Sequence, residues 1–560
     1  MTSDQLQAIA GMNPTQDSAM AILQSQGMSM GGPGAGVGNG QQPPQGTPPA
    51  GNGQAPQGNP PTGKEQASQG NPPTGNAQPS AQGTPQAGNA QSSAPAAPSG
   101  QGNFFPPQLI SALLQLLQNR IAGTISQTGT NNATNPPAAP NGSAPSNNTN
   151  TGSSSSTGSA AYSLDGSSAS QTGQTYTAAK TDESAIYVSN GGNLTLTDST
   201  VTTTGNSSST DNSSFYGLNA GVLVASGSTL TMSNSQVTTS GSGANGVFST
   251  GSGSTVSMSN SKITDSGDGG HAVMATQGGT MDLTAVDMTT SGGSASAIAT
   301  DRGGGTINVS GGTVKTSGMN SAGIYSTGNI TVTKTTFTSS GAEAAVIEGG
   351  NTITLNDAAL TSSKAGKWGV MIYQSISGDA PGTQGNFSMT GGSLFYTATD
   401  GPLFYITNST AVILLKSVDL KDASGTLVKA ASGNWGNTGS NSGTVLLTAV
   451  GQTLTGNLVA DNISVINLTL QNGPALTGAI NSDHTAKSAN VSLDASSTWT
   501  LTGDSHLSGF SDASGISGST ITNITGNGHT IFYDRSLVAN SSLGGKTYTL
   551  VNGGELSPNK

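Results

Sequence analysis

Between residues 221 and 360 the apolar positions fall into three interleaved series, each returning at nearly constant spacing. The first holds Val222, Val247, Val273, Ile298, Ile324 and Val346, at steps of 25, 26, 25, 26 and 22 residues. The second holds the pairs Leu230/Met232, Val256/Met258, Met281/Leu283, Ile307/Val309, Ile330/Val332 and Ile353/Leu355. The third closes each unit at Val237, Ile263, Met288, Val314, Phe337 and Leu360, usually followed by a Thr/Ser-Ser-Gly turn. Inside each run apolar residues alternate with Ser or Thr, the period-2 pattern of a strand with one buried face. Three such runs per repeat predict three short strands and three turns per coil. A run of four or five residues cannot make a sheet by itself. Like runs stacked about 4.8 Å apart form parallel sheets, and Leu230, Val256, Met281, Ile307, Ile330 and Ile353 become one inward column.

The pattern opens at Ile186-Tyr-Val188 and Leu194-Thr-Leu196 and loosens after Val346. There Val370 and Leu403 are the expected equivalents of the first series, with an insertion from Ser375 to Asn386. The predicted division is a short helical segment over 1–30, reading as the end of a larger N-terminal region, and a disordered Gly/Pro/Gln/Asn linker over 31–102. An amphipathic helix over 103–122 follows, with Leu109, Leu113, Leu117 and Ile121 on one face. A disordered Ser/Thr/Asn/Gly linker takes 123–178, ending in Tyr-bearing strands near Tyr162 and Tyr176; the solenoid takes 179–509 and a β cap 510–560. The helix is a candidate for self-association through residues 104–121, or for packing on the first helical segment.

Composition narrows the partners. Charged residues are 8% and the net charge is −11 with 16 Lys plus Arg, so a nucleic-acid backbone would meet a repulsive field. With no cysteine, disulfides and thiolate chemistry are excluded, and no cofactor or metal site is expected. No stretch approaches the ~18 apolar residues of a membrane span. A surface of Ser, Thr, Asn and Gly suits an extracellular or cell-surface protein. No signal peptide precedes Lys64, the first basic residue, so either the protein is cytoplasmic or, the favoured expectation, the true leader lies upstream of Met1.

On the coil pattern, exemplified by Gly-Val-Phe-Ser-Thr250, Ser-Thr-Val-Ser-Met258 and Lys-Ile-Thr-Asp-Ser-Gly267, the chain resembles right-handed parallel β-helix proteins of the pectin-lyase-like superfamily. Among them it looks most like bacterial exported proteins of the adhesin or autotransporter-passenger type. The resemblance covers roughly residues 185–509 and implies an all-β, right-handed three-sheet parallel β-helix. Right-handedness also accords with the crossover rule. The same superfamily holds polysaccharide lyases and hydrolases, whose sites use paired carboxylates or Asp clusters around Ca²⁺. The Asp-Asp and Gly-His-Gly features of the hydrolase branch are missing here, which argues against catalysis.

Two groups remain as candidate contacts. Asp265, Asp268 and His271, with Asp282 one strand on and Asp301-Arg302 on the next coil, could hold a cation or a sugar, although Asp and Gly also simply form turns. Glu343 and Glu348 read as isolated turn carboxylates. Tyr325, Trp368, Tyr373, Phe395, Tyr396, Phe404 and Tyr405 gather late in the solenoid, and aromatics with a polar tip suit a glycan or protein partner. The expected function is therefore a non-catalytic adhesin or interaction protein for an extracellular glycan or protein surface. A polysaccharide-active lyase or hydrolase is the alternative. Ice or surface binding comes third, because the outward Thr rows of the second strands are broken by Asp282, Asn308 and Asn356.

Overall fold

The computed structural model describes residues 157–512 and 514–559. The segments expected at 1–30, 31–102 and 103–122, and the first part of the 123–178 linker, lie outside the described residues. What is described winds as a parallel β-solenoid. One regular coil runs through the strands Val222–Ala225, Thr229–Ser233 and Gln236–Thr239, and the next begins at Val247. Like strands of successive coils hydrogen-bond in parallel, giving sheet A of 12 strands, sheet B of 14 and sheet C of 10. A fourth sheet, D, has nine strands and belongs to the C-terminal part.

The predicted inward column is in strict register on sheet B, from Leu230 through Val256, Met281, Ile307 and Ile330 to Ile353. Each of these residues is buried. Sheet A departs from expectation at the irregular step: Ile324 pairs with Ala345, and Val346 stands opposite Tyr325 on the outer face. In the same way Phe404, not Leu403, is the partner of Val370. Side chains alternate between faces, so an offset of one residue exchanges core for exterior.

The solenoid also starts earlier than the expected boundary at 179. Strands at Ser159–Asp165, Ser168–Thr172 and Thr175–Ala178 make a complete first coil, paired with the strands of the second. The Tyr162 and Tyr176 strands are where the sequence places them, and the strand between them is less legible because one inward position holds an amide. Gln171 Nε2 donates to Tyr162 Oη at 3.0 Å, and Tyr176 Oη donates to Gln171 Oε1 at 2.6 Å. At the other end two antiparallel pairings enter sheet D, Ile516-Ser517 with Thr520-Ile521 and Tyr548-Thr549 with Glu555-Leu556.

Two corners explain the turn residues. Between sheets B and C a left-handed residue makes the bend, as at Asn234 (φ 50°), Asn260 (φ 47°) and Asp357 (φ 50°), a conformation Asn and Asp reach more readily than other side chains. Between sheets C and A the Ser-Gly turns bring Gly205, Gly241, Gly267, Gly292, Gly318 and Gly341 one above another. The carbonyl oxygen of each lies where the next would carry its Cβ. Only glycine permits that approach.

Candidate functional site

Apolar residues also line the outside of the solenoid. On the outer face of sheet A, Leu223, Phe248, Met274, Ala299, Tyr325, Val346, Met371 and Tyr405 form one continuous file of register partners. The first four are covered. The coil from Ile186 to its partner Val222 is 36 residues long, and the surplus folds into helix α1, Thr210–Tyr216. Ser209 caps α1 by accepting from Asn212 N, and Gly217 ends it at φ 75°, packed on Leu223 and Phe248. The Phe215 carbonyl then accepts from Thr276 Oγ1 at 2.9 Å and Gln277 Nε2 at 3.2 Å.

At the edge of this cover Arg302 joins α1 to the insertion that follows Tyr373. Its guanidinium lies 3.7 Å above the Phe215 ring centroid, while Nε and Nη2 donate to Asp379 Oδ1 at 3.0 and 2.8 Å. Beside it Asp301 accepts from the Arg302 amide at 2.7 Å. Burial pushes the Asp301 carboxyl up to about 7, helped by the charges of Asp379 and Glu348. Glu348 is a buried strand residue rather than a turn carboxylate. It accepts from the hydroxyls of Tyr325, Tyr373 and Ser375, which pins the start of the insertion to the sheet. Burial raises the pKa of both tyrosines, so they stay neutral donors.

Past this hub the face is aromatic. Trp368 stacks on Tyr405 with centroids 4.2 Å apart and planes 18° apart, and Lys367 ties the turn below it to Glu343 at 3.6 Å. Trp435 leans on Tyr373 with centroids 5.0 Å apart and is 40% exposed. Tyr325 and Trp368 are half-buried and pack on Val346, Met371, Tyr373 and Tyr405. Ala431 belongs to the same cluster and also borders a cleft of about 530 Å³ lined by Lys429, Val459, Asp461, Asn462, Asp483 and Thr485. Shelf and cleft are thus continuous.

The carboxylate group expected around Asp265 does not converge. Asp265 points into the solenoid, fully buried, where Thr239 Oγ1 and Gly267 N donate to its Oδ1, each at 3.0 Å. Burial pushes its carboxyl up to about 7. His271 is buried rather than solvated, with Nδ1 2.9 Å from the Ser296 carbonyl, and burial lowers its pKa. Asp268 accepts from Gly293 N at the C–A corner. Asp282 lies on the outer face of sheet B, accepting from Asn308 Nδ2 at 2.8 Å. Only Asp301 and Arg302 reach the sheet A face. Among the described residues no group of three or more His, Asp or Glu could hold a metal ion.

Of the aromatic candidates, Tyr325, Trp368, Tyr373 and Tyr405 come together. Tyr396 and Phe404 do not, because their strand positions face inward: Tyr396 is buried with its hydroxyl near the Lys364 and Lys367 carbonyls, and Phe404 meets Phe387 edge-on at 5.5 Å. Phe395 is on the outer face of sheet C, opposite Thr361. The sequence reading passed over α1, Asp379, Trp435 and the cleft. The long step from Ile186 to Val222 marks the helix, and a lone Trp stands out in the Gly/Ser/Asn-rich turn at 432–443.

Residues 201–370 match the family described as right handed beta helix region. No curated protein and no solved structure matches the chain. No helix among the described residues is long and apolar enough to cross a membrane.

Proposed function

We propose that the chain is an exported or cell-surface interaction protein that binds glycans without cleaving them, using the outer face of sheet A. The observation that carries this reading is the Trp368/Tyr405 stack beside the exposed Trp435, opening into the Lys429–Thr485 cleft. A pyranose ring presents an apolar face of C–H groups to such a shelf and hydroxyls to the polar rim. Asp483 would accept from sugar hydroxyls and Lys429 and Asn462 would donate to them, while Asp461 already accepts from Ser432 and the Ile463 amide.

The test is a broad glycan array probed with the full chain, with and without Ca²⁺, followed by calorimetry on retained glycans. Trp368→Ala is expected to weaken binding at least tenfold, about 1.4 kcal/mol, with an unchanged circular dichroism spectrum. Equal affinity of wild type and variant would remove the shelf from the site. A protein partner on the same shelf would appear as no glycan retained.

A second reading, chain cleavage, is favoured by one observation. Asp301, held up to about 7 by burial beside Glu348 and Asp379, has the proton affinity of a general acid near neutral pH. Product analysis on the retained glycans separates the readings: intact glycan supports binding alone. Products formed by wild type and lost in Asp301→Asn would make the protein an enzyme.

A further inference from the structure

One file of polar side chains runs the length of the regular solenoid on its inside. At the last inward position of sheet C stand Thr203, Thr239, Asp265, Thr290, Thr316, Ser339, Ser362 and Tyr396, each the register partner of the next. All are 0–2% exposed. At both ends the file meets protein partners. Thr203 Oγ1 donates to the Ala220 carbonyl at 3.3 Å, Thr239 Oγ1 donates to Asp265 Oδ1, and the Tyr396 hydroxyl reaches two carbonyls.

Between those ends the situation changes on five consecutive coils. Asp265 Oδ2, Thr290 Oγ1, Thr316 Oγ1, Ser339 Oγ and Ser362 Oγ are buried and have no protein partner. A buried polar group without a hydrogen bond is strongly unfavourable, and a regular line of five calls for one common explanation. The longer Asp265 side chain closes on Thr239, but no direct bond joins the five named atoms to one another, and the strands that carry them are about 4.8 Å apart. That distance is the span of a bridge. An oxygen placed about 2.8 Å from each of two hydroxyls covers it with a bend close to the tetrahedral angle of water.

The facing wall carries no side chain larger than a methyl group. Thr239 lies against Gly221 and Ser339 against Gly323. The residue before each sheet A strand on the coils between and after them is again small: Gly246, Ala272, Ala297, Ala344 and Gly369. Each bridging molecule would also have the carbonyl groups of that corner within reach, and so the two to four partners that a buried water needs.

We infer that this seam binds a single file of water molecules, one between each successive pair of side chains from Asp265 to Ser362. Four waters interleave the five groups. The chain would then carry an ordered hydrated seam beside an apolar core, with the serine and threonine hydroxyls acting as its rungs.

Oxygen-17 magnetic relaxation dispersion on the full chain counts long-lived internal waters. Wild type is expected to hold at least four. Thr316→Val, an isosteric change at the middle rung, is expected to lose the two flanking waters and to lower Tm by several degrees, whereas Thr316→Ser keeps both. Ser339→Ala gives an independent reading at a second rung with no added bulk. Fewer than four long-lived waters in wild type would overturn the inference. So would an unchanged count in Thr316→Val, or a raised Tm, the result for removing an unpaired hydroxyl from a dry core.

Discussion

Gly292→Ala is expected to be among the most damaging small substitutions in the chain, lowering stability by on the order of 3 kcal/mol or more. The new methyl would fall on the Gly267 carbonyl and crowd the Asp268 amide, so the coils must part. Neither neighbour can yield, since both atoms belong to backbone and Gly267 is itself pressed against Gly241 from the next coil. In a solenoid each coil touches only its neighbours, so the lesion should uncouple the stack near its middle rather than loosen it evenly. Denaturant titration of the variant is expected to show a lower midpoint and a split or broadened transition. Substitution at Gly173, φ 67° with open space around its Cβ position, is the control: it strains one turn without forcing coils apart. Equal loss at the two sites would mean that the glycine stack is a turn preference and not a contact.

Asp265→Asn is expected to stabilise the protein at alkaline pH and to flatten its pH profile. The folded carboxyl titrates at about 7, while an unfolded aspartate titrates at about 3.9. The fold therefore favours the protonated form. Below about pH 4 both states are protonated and the residue is neutral in its effect. As pH rises from there to about 7 the folded protein loses stability, and above 7 the loss is complete. Three pKa units correspond to on the order of 4 kcal/mol. Asparagine keeps an oxygen to accept from Thr239 and Gly267 and carries no charge, so the variant should match wild type near pH 4 and exceed it at pH 8. Asp301 contributes a slope of the same sign, and some pH dependence will persist in the variant. A wild-type midpoint that rises from pH 5 to 8 would contradict the direction assigned to Asp265.

The three-sheet architecture could be read in the sequence because burial there is periodic: Met281 and Ile307 meet in the structure as their spacing says they should. Misreadings arose where one residue decides a face. Val346 was the more apolar choice beside Ala345, yet alanine occupies the core position, since packing selects on geometry and not on hydrophobicity alone. Leu403 and Phe404 pose the same problem, and there both are buried. The aromatic shelf was half legible. Tyr405 directly follows Phe404 in one strand, and only the pleat separates outward from inward. The Asp265 grouping failed for a related reason: stacking brings equivalent positions of neighbouring coils together, whereas Asp265, Asp282 and Asp301 stand on three different sides of the coil. Contacts such as Arg302 with Asp379, 77 residues apart, depend on insertions whose course no periodicity specifies.

The stacking of like strands also determines how the molecule answers force. Every hydrogen-bonded strand pair in sheets A, B and C joins one coil to the next, so tension that lifts a terminal coil loads only the bonds at that junction. Coils would peel in sequence, like turns leaving a spool. Each regular coil would release roughly 80 Å of slack, taking ~3.3 Å per residue over the 26-residue step from Val247 to Val273. A partner held on the shelf near Tyr405 would keep its grip while more distant coils paid out, and the solenoid would then act as an extensible tether.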